Sequence, residues 1–244
     1  MKIQLNCDMG EGFGLWKMGN DELLMPHIDM ANLACGFHAS DPITMTKSVL
    51  LAKKHHVIIG AHPGYHDLEG FGRRSISHTK QEIKALVLYQ IGALDAICKA
   101  NDTEVSYVKP HGALYNDMMK NEDILDSIME ALSCYNQNIK LMILSTTNND
   151  HYKNLAQSYG IELLFELFAD RNYCDDGSLV PRLQSNAVIH DSKTITKRIN
   201  DIKTHGYIKS INNQKLYLQS DTICVHGDND NAVEFVQILK KVIE

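Results

Sequence analysis

The amino-acid sequence predicts an α/β protein built as a TIM-like parallel β/α barrel. Short apolar segments that favour strands alternate with segments of helical periodicity about seven times along the chain. Six of the predicted strands end in turns that carry histidine, acidic, basic or glycine residues. Such residues gather at the carboxyl ends of the strands in β/α-barrel enzymes, so the pattern favours a barrel with one functional rim over an open sheet.

Composition limits the class of protein. The 244 residues are enough for one large domain, which we expect to span residues 1–244. The formal net charge is -6, and no dense Lys/Arg block occurs, which argues against a nucleic-acid-binding surface. No apolar stretch approaches the ~20 residues that a membrane span needs, and the amino terminus lacks the features of a signal peptide.

The six cysteines are widely separated and form no Cys-x-x-Cys pair. This usage predicts reduced thiols and a cytoplasmic location rather than a disulfide scaffold or a zinc knuckle. Cys7, Cys35 and Cys224 lie at predicted strand ends, where buried packing is favoured and a nucleophilic role is the alternative.

The predicted strands follow from apolar runs bounded by turn residues. They are Ile3–Cys7, Met30–Ala34, Val57–Ala61, a strand within Val105–Asn116, Lys140–Leu144, Leu163–Leu167 and Thr222–Val225, with a small added strand at Lys215–Leu218.

The predicted helices fill the intervals between these strands. They are Asp21–Ile28, Asp41 to about His55, Thr79 to about Ala100, Glu122–Leu132, Tyr152–Tyr159, Ser192–Gly206 and Ala232–Val242. Asp41 followed by proline is a helix start, and Thr79 with Glu82 fits a capping box. The residues of the second helix that we expect to pack inward are Ile43, Val49, Leu50 and Ala52.

Acidic residues and histidine follow the first two strands. Asp8 and Glu11 lie in a turn whose glycines would form either an anion-binding nest or a plain flexible loop. Two acids at a strand end need water, a cation or a chemical role. His38 follows the second strand in a turn and is expected to face the rim, whereas Asp41 has a ready role as a helix cap.

The next two strands deliver histidine, arginine and lysine. His62 ends the third strand, and Arg73 lies in the polar, glycine-rich loop after it, which we expect to be a lid or a binding loop. Lys109 and His111 end the strand in Val105–Asn116, and strand alternation would point both side chains to the same side. We therefore expect the two to act together on one substrate.

The last candidates come from the carboxyl-terminal third of the chain. Asp170 and Arg171 form either a structural ion pair or a clamp for a carboxylate or phosphate, and the sequence leaves both interpretations open. His226 and Asp228 lie at the tip of the last predicted strand.

This inventory is typical of hydrolysis of a small polar molecule, because histidines and carboxylates activate water and cations stabilise an oxyanion. No G-x-S-x-G, H-E-x-x-H or Walker motif occurs, so a serine hydrolase, a zincin and a self-contained P-loop ATPase lack support. Asp8, His38 and His62 could converge on a divalent metal ion, but spacing between different strands leaves the need for a metal open.

Eight segments carry a resemblance to a known family: NCDMGEGFGLW, ANLACGFHASDP, IGAHPGYHDLEGFGRR, YQIGAL, VKPHGALYN, FADRNY, DGSLVPR and DTICVHGDN. Their order and spread make the chain similar to the LamB/YcsF family from Ile3 to the closing helix. Ser40 stands where that family usually has glycine, which bears on the geometry of that turn.

The resemblance implies a seven-stranded β/α barrel related to glycoside hydrolases and sugar deacetylases. It also implies 5-oxoprolinase activity, in which 5-oxo-L-proline is opened to L-glutamate with hydrolysis of ATP and with Mg²⁺. Subunits B and C are the implied partners, and they would help to supply the nucleotide site that this sequence lacks. The alternatives are a metal-dependent deacetylase of the same barrel superfamily and a non-catalytic subunit that binds 5-oxoproline.

We assign the candidates to hypothetical roles in such a reaction. The cations that would hold the substrate carboxylate or the activated lactam oxygen are Lys109 and Arg171. The groups that would position water are Asp8, Glu11 and His111. The candidate proton donors to the departing nitrogen are His38, His62 and His226. Further candidates for substrate contacts are Asp41, Arg73, Asp170 and Asp228.

Overall fold

The apolar runs form strands that pair in parallel around a closed barrel. The computed structural model describes residues 3–136, 138–182, 184–225 and 232–243. The strands in chain order are β1 (Gln4–Met9), β2 (Met30–Ala34), β3 (Ile58–His62), β4 (Tyr107–Val108), β5 (Lys140–Leu144), β6 (Glu162–Phe168), β7 (Ile208–Lys209), β8 (Lys215–Leu216) and β9 (Thr222–Val225).

Seven of these strands close the barrel in the order β1-β2-β3-β4-β5-β6-β9. Every pairing is parallel, and β9 closes the barrel by pairing with both β1 and β6. The prediction of a TIM-like barrel is confirmed. β7 and β8 form a separate antiparallel pair, so the predicted small strand near Lys215 has a partner outside the barrel.

The helices lie between the strands. They are α1 (Asp21–Leu24), α2 (Pro42–Lys54), α3 (Lys80–Ala100), α4 (Gly112–Met118), α5 (Glu122–Tyr135), α6 (Asn149–Ser158), α7 (Ser192–His205) and α8 (Ala232–Ile243), with a 3₁₀ helix at Met25–His27. The two predicted helix starts are confirmed, because Asp41 caps α2 and Thr79 forms a capping box with Glu82. Among the described helices, none combines the length and apolarity needed to cross a bilayer.

Two expectations about α2 and the fourth strand were wrong. Ile43 and Leu50 are 64% and 47% exposed, and α2 instead packs through Met45, Val49 and Ala52. The apolar content of α2 is spread around the helix, so composition alone misplaces its buried face. The fourth strand is only two residues long, and the unpredicted α4 begins immediately after His111.

The barrel interior is layered. Met30, Tyr107 and Met142 form an apolar cluster against Leu164 towards the amino-terminal ends of the strands. Polar side chains occupy the interior above it, because alternation along the strands points every second residue inward. The Tyr107 hydroxyl donates to Asn32 Oδ1 at 2.7 Å and joins the two layers.

Gly60 on β3 leaves room for the ring of Tyr107. A Cβ at Gly60 would lie 2.2 Å from two atoms of that ring, whereas a Cβ at Gly92 on α3 would meet nothing within 4 Å. We therefore expect Gly60→Ala to lower the free energy of unfolding by about 1–3 kcal/mol through overpacking. Gly92→Ala is the control and should raise it by about 0.5–1 kcal/mol, because alanine favours helix interiors.

Urea unfolding followed by circular dichroism measures both changes. Equal effects of the two substitutions would show that the barrel interior adapts around position 60, which would contradict the tight contact with Tyr107.

Candidate active site

A buried lysine lies at the centre of the barrel. Lys109 Nζ is 3.0 Å from Glu166 Oε2, 3.2 Å from Asp8 Oδ1 and 3.2 Å from Asn6 Oδ1. The Lys109 side chain is 3% exposed and that of Glu166 is completely buried. Burial alone would lower the pKa of Lys109, but the charges of Asp8 and Glu166 outweigh it and raise the pKa well above its usual value. Lys109 is therefore a fixed cation.

Asp8 connects this lysine to the histidines at the rim. Its Oδ1 accepts hydrogen bonds from Asn32 Nδ2 at 2.7 Å and from Lys109, while its Oδ2 lies 3.4 Å from His62 Nε2. The carboxylate is held in place on one side and faces His62 with the other.

Three histidines meet above Asp8 at the carboxyl-terminal rim. His62 ends β3, His111 precedes α4, and His38 lies in the loop between β2 and α2. The rings of His38 and His111 stack with centroids 3.7 Å apart, while the His62 ring stands edge-on to both. His62 Nε2 and His111 Nδ1 face each other at 3.0 Å.

Backbone carbonyl groups orient two of these rings. His62 Nδ1 is 2.6 Å from the carbonyl oxygen of Lys109, and His111 Nε2 is 2.9 Å from that of Phe71. Burial and neighbouring histidines lower the pKa of His38 and of His111 well below the usual value. Both rings are therefore neutral at pH 7, which suits a base or a metal ligand better than a proton donor.

Glu11 reaches the histidines from the loop after β1. Its Oε1 is 3.4 Å from His38 Nε2 and 3.6 Å from His111 Nδ1. Gly10 positions this loop by donating its backbone N–H to Asp21 Oδ2 at 2.8 Å, and burial raises the pKa of Asp21 to about 6.

The loop that carries Glu11 is tied to the one that carries His38. The backbone N–H of Ser40 donates to the Gly12 carbonyl at 2.9 Å. Ser40 adopts the left-handed conformation, with φ 74°, which is a backbone region that favours glycine. The turn therefore accommodates serine in place of the family's usual glycine without losing its contact to Gly12.

The loop after β3 packs its backbone directly on the histidines. Gly72 has a positive φ, and a Cβ there would lie 2.6 Å from His38 Cβ and 2.8 Å from His111 Cδ2. Glycine is required at this position both for the backbone conformation and for the close approach to the two rings.

Several predicted site residues make local structural contacts instead. Asp41 accepts hydrogen bonds from Ile43 and Thr44 at the start of α2 and from Gly14, and the Thr44 and Gly14 contacts lower its pKa to about 2. Arg171 is buried and donates to the carbonyl oxygens of Val180 and Ala187.

The remaining predicted residues lie at or beyond the edge of this group. Arg73 is exposed, and its guanidinium lies 5.3 Å above the Phe71 ring, beside the carbonyl that holds His111. Asp170 is buried next to Arg171 in sequence, and burial together with Arg182 lowers the pKa of Arg171 to about 10. His226 and Asp228 lie outside the described residues.

Sequence reasoning missed the polar residues inside the strands. Asn6 Nδ2 donates to Glu166 Oε2 at 3.4 Å, and Asn6 Oδ1 accepts from Asn32 Nδ2 at 2.8 Å. Burial and the nearby Glu166 carboxylate raise the pKa of Tyr115 well above its usual value. A polar residue within an apolar strand is the signal that finds these side chains, because burial of a charge requires pairing.

The cysteines follow the packing interpretation. Cys7, Cys35 and Cys224 are buried, and burial raises the pKa of each thiol, to about 12 for Cys35. A protonated thiol is a poor nucleophile.

The donor atoms of four residues lie within 4.8 Å of one another, and these residues are Glu11, His38, His62 and His111. The predicted metal-binding set of Asp8, His38 and His62 overlaps this group in its two histidines. Imidazole nitrogen and carboxylate oxygen are suitable ligands for Zn²⁺ and similar divalent ions. The group has the composition of a site that activates water or polarises a carbonyl.

A parallel β/α barrel with buried carboxylates, histidines and a lysine at its carboxyl-terminal rim defines a barrel enzyme with a hydrolytic type of site. Residues 3–244 match the model of the LamB/YcsF family, and the chain belongs to that family.

Named relatives cover nearly the whole chain. The 5-oxoprolinase A subunit of Vibrio vulnificus strain CMCP6 is 56% identical over 242 residues, covering 99% of this chain and 97% of the relative. In Pseudomonas aeruginosa PAO1, a 5-oxoprolinase A subunit that carries the number 3 is 47% identical over 243 residues, covering 100% and 97%. The crystal structure of the lactam utilization protein from Thermus thermophilus matches with a TM-score of 0.91 at 35% identity, covering 99% of this chain and 96% of that one.

Lys109→Met removes the cation that contacts the buried Glu166 carboxylate. We expect it to lower the free energy of unfolding by about 3–5 kcal/mol, because an uncompensated buried charge is costly. Adding Glu166→Gln should recover part of that loss. Urea unfolding measures both variants.

Lys84→Met is the matched control, because Lys84 pairs with Glu130 at 2.6 Å near the surface. Its effect should stay below about 1 kcal/mol. A loss at Lys109 as small as at Lys84 would show that the carboxylates in the barrel do not depend on the lysine.

Proposed function

We propose that this protein is the A subunit of an ATP-dependent 5-oxoprolinase, which hydrolyses the lactam of 5-oxo-L-proline to L-glutamate. The observation that carries the proposal is the 56% identity, over 99% of the chain, to a protein named as that subunit. The high similarity to a lactam utilization protein supports the same chemical class, a cyclic amide.

The site's chemistry fits ring opening of a lactam. Water adds its oxygen to the lactam carbonyl carbon, the carbon–nitrogen bond breaks, and a proton reaches the leaving nitrogen. A carboxylate that is fixed beside neutral histidines can take the proton from water and return it to nitrogen. Asp8 has this position, because Lys109 and Asn32 hold its Oδ1 and leave its Oδ2 towards His62.

The structure changes the assignment of the substrate-binding cations. Lys109 contacts Asp8 and Glu166, and Arg171 donates to backbone carbonyls, so both have structural roles. Arg73 is an exposed cation beside the histidines, and it is our candidate for binding the substrate carboxylate.

ATP enters at the level of the whole enzyme. The sequence contains no Walker loop, and amide resonance makes hydrolysis of the lactam gain from coupling to ATP. We therefore place the nucleotide, with Mg²⁺, on partner subunits B and C, and the complex in the cytoplasm. The relatives are named as one lettered subunit of an enzyme, which supports such an assembly.

The loop after β1 offers a contact surface for a partner. Leu15 and Trp16 are 99% and 77% exposed, and Phe13 is 37% exposed. Phe13 and Trp16 exchange backbone hydrogen bonds of 2.9 Å, so the apolar side chains sit on an ordered turn next to Glu11. Clustered exposed apolar residues are typical of protein interfaces. We assign this turn to the partner that supplies the nucleotide.

Two alternatives remain as outcomes of experiment. A non-catalytic subunit would bind 5-oxoproline while its partners performed the hydrolysis. A deacetylase would release acetate from an acetylated sugar and leave 5-oxoproline intact. The first alternative predicts that substitutions in the histidine group leave complex activity unchanged.

His111→Ala tests the catalytic role of the site in the reconstituted complex. We expect glutamate formation from 5-oxoproline and ATP to fall by about 100-fold or more, because the ring faces both Glu11 and His62. His205→Ala is the matched control, because His205 is an exposed residue at the end of α7 and should leave the rate unchanged.

Each combination of proteins gives a separate result. This chain by itself should form no glutamate, whereas addition of subunits B and C should restore it. Full turnover by this chain without partners would overturn the division of labour, and normal turnover by a folded His111→Ala variant would favour the non-catalytic alternative.

Leu15→Asp tests the partner surface. We expect it to weaken association with subunits B and C by roughly tenfold or more, because a charge would be buried in an apolar contact. Leu50→Asp on α2 is the matched control, because Leu50 is 47% exposed, and it should leave assembly intact. Analytical ultracentrifugation of the mixed proteins measures assembly, and an effect confined to self-association of this chain would assign the turn to a second copy instead.

A further inference from the structure

The hydrogen bonds of His62 and His111 create an electrostatic conflict at the centre of the rim. A carbonyl oxygen accepts only, so the nitrogen that contacts it carries the ring proton. The carbonyls of Lys109 and Phe71 therefore select the Nδ1–H form of His62 and the Nε2–H form of His111. The remaining nitrogens, His62 Nε2 and His111 Nδ1, then direct lone pairs at each other across 3.0 Å.

A positive species between the two nitrogens resolves this conflict, either as a second ring proton or as a metal cation. Burial and the neighbouring histidines lower the pKa of His111, which disfavours the second proton. Backbone carbonyls that fix the far nitrogen of a histidine are also the usual outer contacts of metal-binding histidines.

The spacing of the donor atoms fits a cation. Ligand atoms ~2.1 Å from a tetrahedral Zn²⁺ lie roughly 3.4 Å from one another. The observed separations are 3.0 Å between His62 Nε2 and His111 Nδ1 and 3.6 Å between His111 Nδ1 and Glu11 Oε1. The Glu11 side chain is 12% exposed, so its carboxylate brings negative charge to a largely enclosed place between imidazole rings. A cation there would be favoured by that charge.

Ring orientation selects among the histidines. A cation binds in the plane of an imidazole ring, along the nitrogen lone pair. The planes of His62 and His111 cross at 86° and can share one point, whereas His38 and His111 stack at 3° with centroids 3.7 Å apart and cannot. His38 therefore lies beside the ligand set and contacts Glu11 from its outer side.

We propose that Glu11 Oε1, His62 Nε2 and His111 Nδ1 form a site for a divalent transition-metal cation of the Zn²⁺ type. Three protein ligands leave a fourth position for water or a carbonyl oxygen, as is usual for catalytic rather than structural zinc. Asp8, whose Oδ2 is 3.4 Å from His62 Nε2, stands next to the metal as the proton-transferring carboxylate. The metal's use on a lactam rests on the proposed function, but its binding does not.

Metal binding can be measured on the whole chain without substrate. Chelator-treated protein titrated with Co²⁺ should develop visible absorption at one equivalent, and Zn²⁺ should displace it. His62→Ala, His111→Ala and Glu11→Gln should each weaken binding by more than about tenfold. Unfolding curves of each variant identify any loss that arises from misfolding, and Glu11→Gln, which preserves the side-chain shape, keeps the test decisive if a histidine variant fails to fold.

Two substitutions define the ligand set. His205→Ala should leave the Co²⁺ affinity unchanged, and His38→Asn should retain it within about tenfold. Loss of binding in a folded His38→Asn variant would overturn the three-ligand assignment. Absence of saturable Co²⁺ and Zn²⁺ binding below about 0.1 mM in folded wild-type protein would overturn the site itself.

The readout separates this proposal from the proposed function. A protein that binds metal but leaves 5-oxoproline unchanged in the complex would retain the metal site and lose the lactam assignment. A complex that forms glutamate while this chain binds no metal would do the reverse.

Discussion

The buried contact of Lys109 with Asp8 and Glu166 is the interaction on which the site depends. Two carboxylates inside a barrel are costly without a cation, and the lysine compensates both at 3.0 and 3.2 Å. This pairing fixes the rotamer of Asp8, and Asp8 in turn faces His62. Lys109 also holds His62 through its own backbone carbonyl. One residue therefore orients both the acidic and the histidine sides of the rim.

The barrel supplies precision because the histidines are held by backbone rather than by long side chains. The loop after β3 places the Phe71 carbonyl against His111 and packs Gly72 against two rings. The backbone N–H of Ala113 donates to the Gly72 carbonyl at 2.8 Å, so the same loop also fixes the start of α4. The long loop that the sequence led us to expect as a lid thus acts as a clamp on the site, while its exposed Arg73 remains available at the rim.

Much of the fold and part of the site could be predicted from the sequence. Turn residues after apolar runs locate His62, Lys109 and His111, because strand ends in a parallel barrel converge. Glu166 could not be found this way, since it lies inside an apolar strand and its role depends on Lys109, which is distant in sequence. Asp41 shows the opposite error, because a cap and a site residue have the same local signal.

The expected joint action of Lys109 and His111 takes a different form in the structure. Their side chains diverge, because the chain turns at Pro110 and α4 begins after His111. Lys109 Nζ enters the polar barrel interior, while His111 stays at the rim and faces His62. The two residues are connected through His62 and Asp8, so alternation along an extended strand predicts the partnership but not its geometry.

The charge around the site bears on where ATP acts. Asp8, Glu11 and Glu166 bring three carboxyl groups to the neighbourhood of one lysine. A triphosphate would meet unfavourable charge there, whereas a small lactam with a single carboxylate could approach along the exposed Arg73. Water activation and phosphoryl transfer need opposite electrostatic environments, since the first requires bases and the second cations. Assigning them to different subunits follows from that requirement.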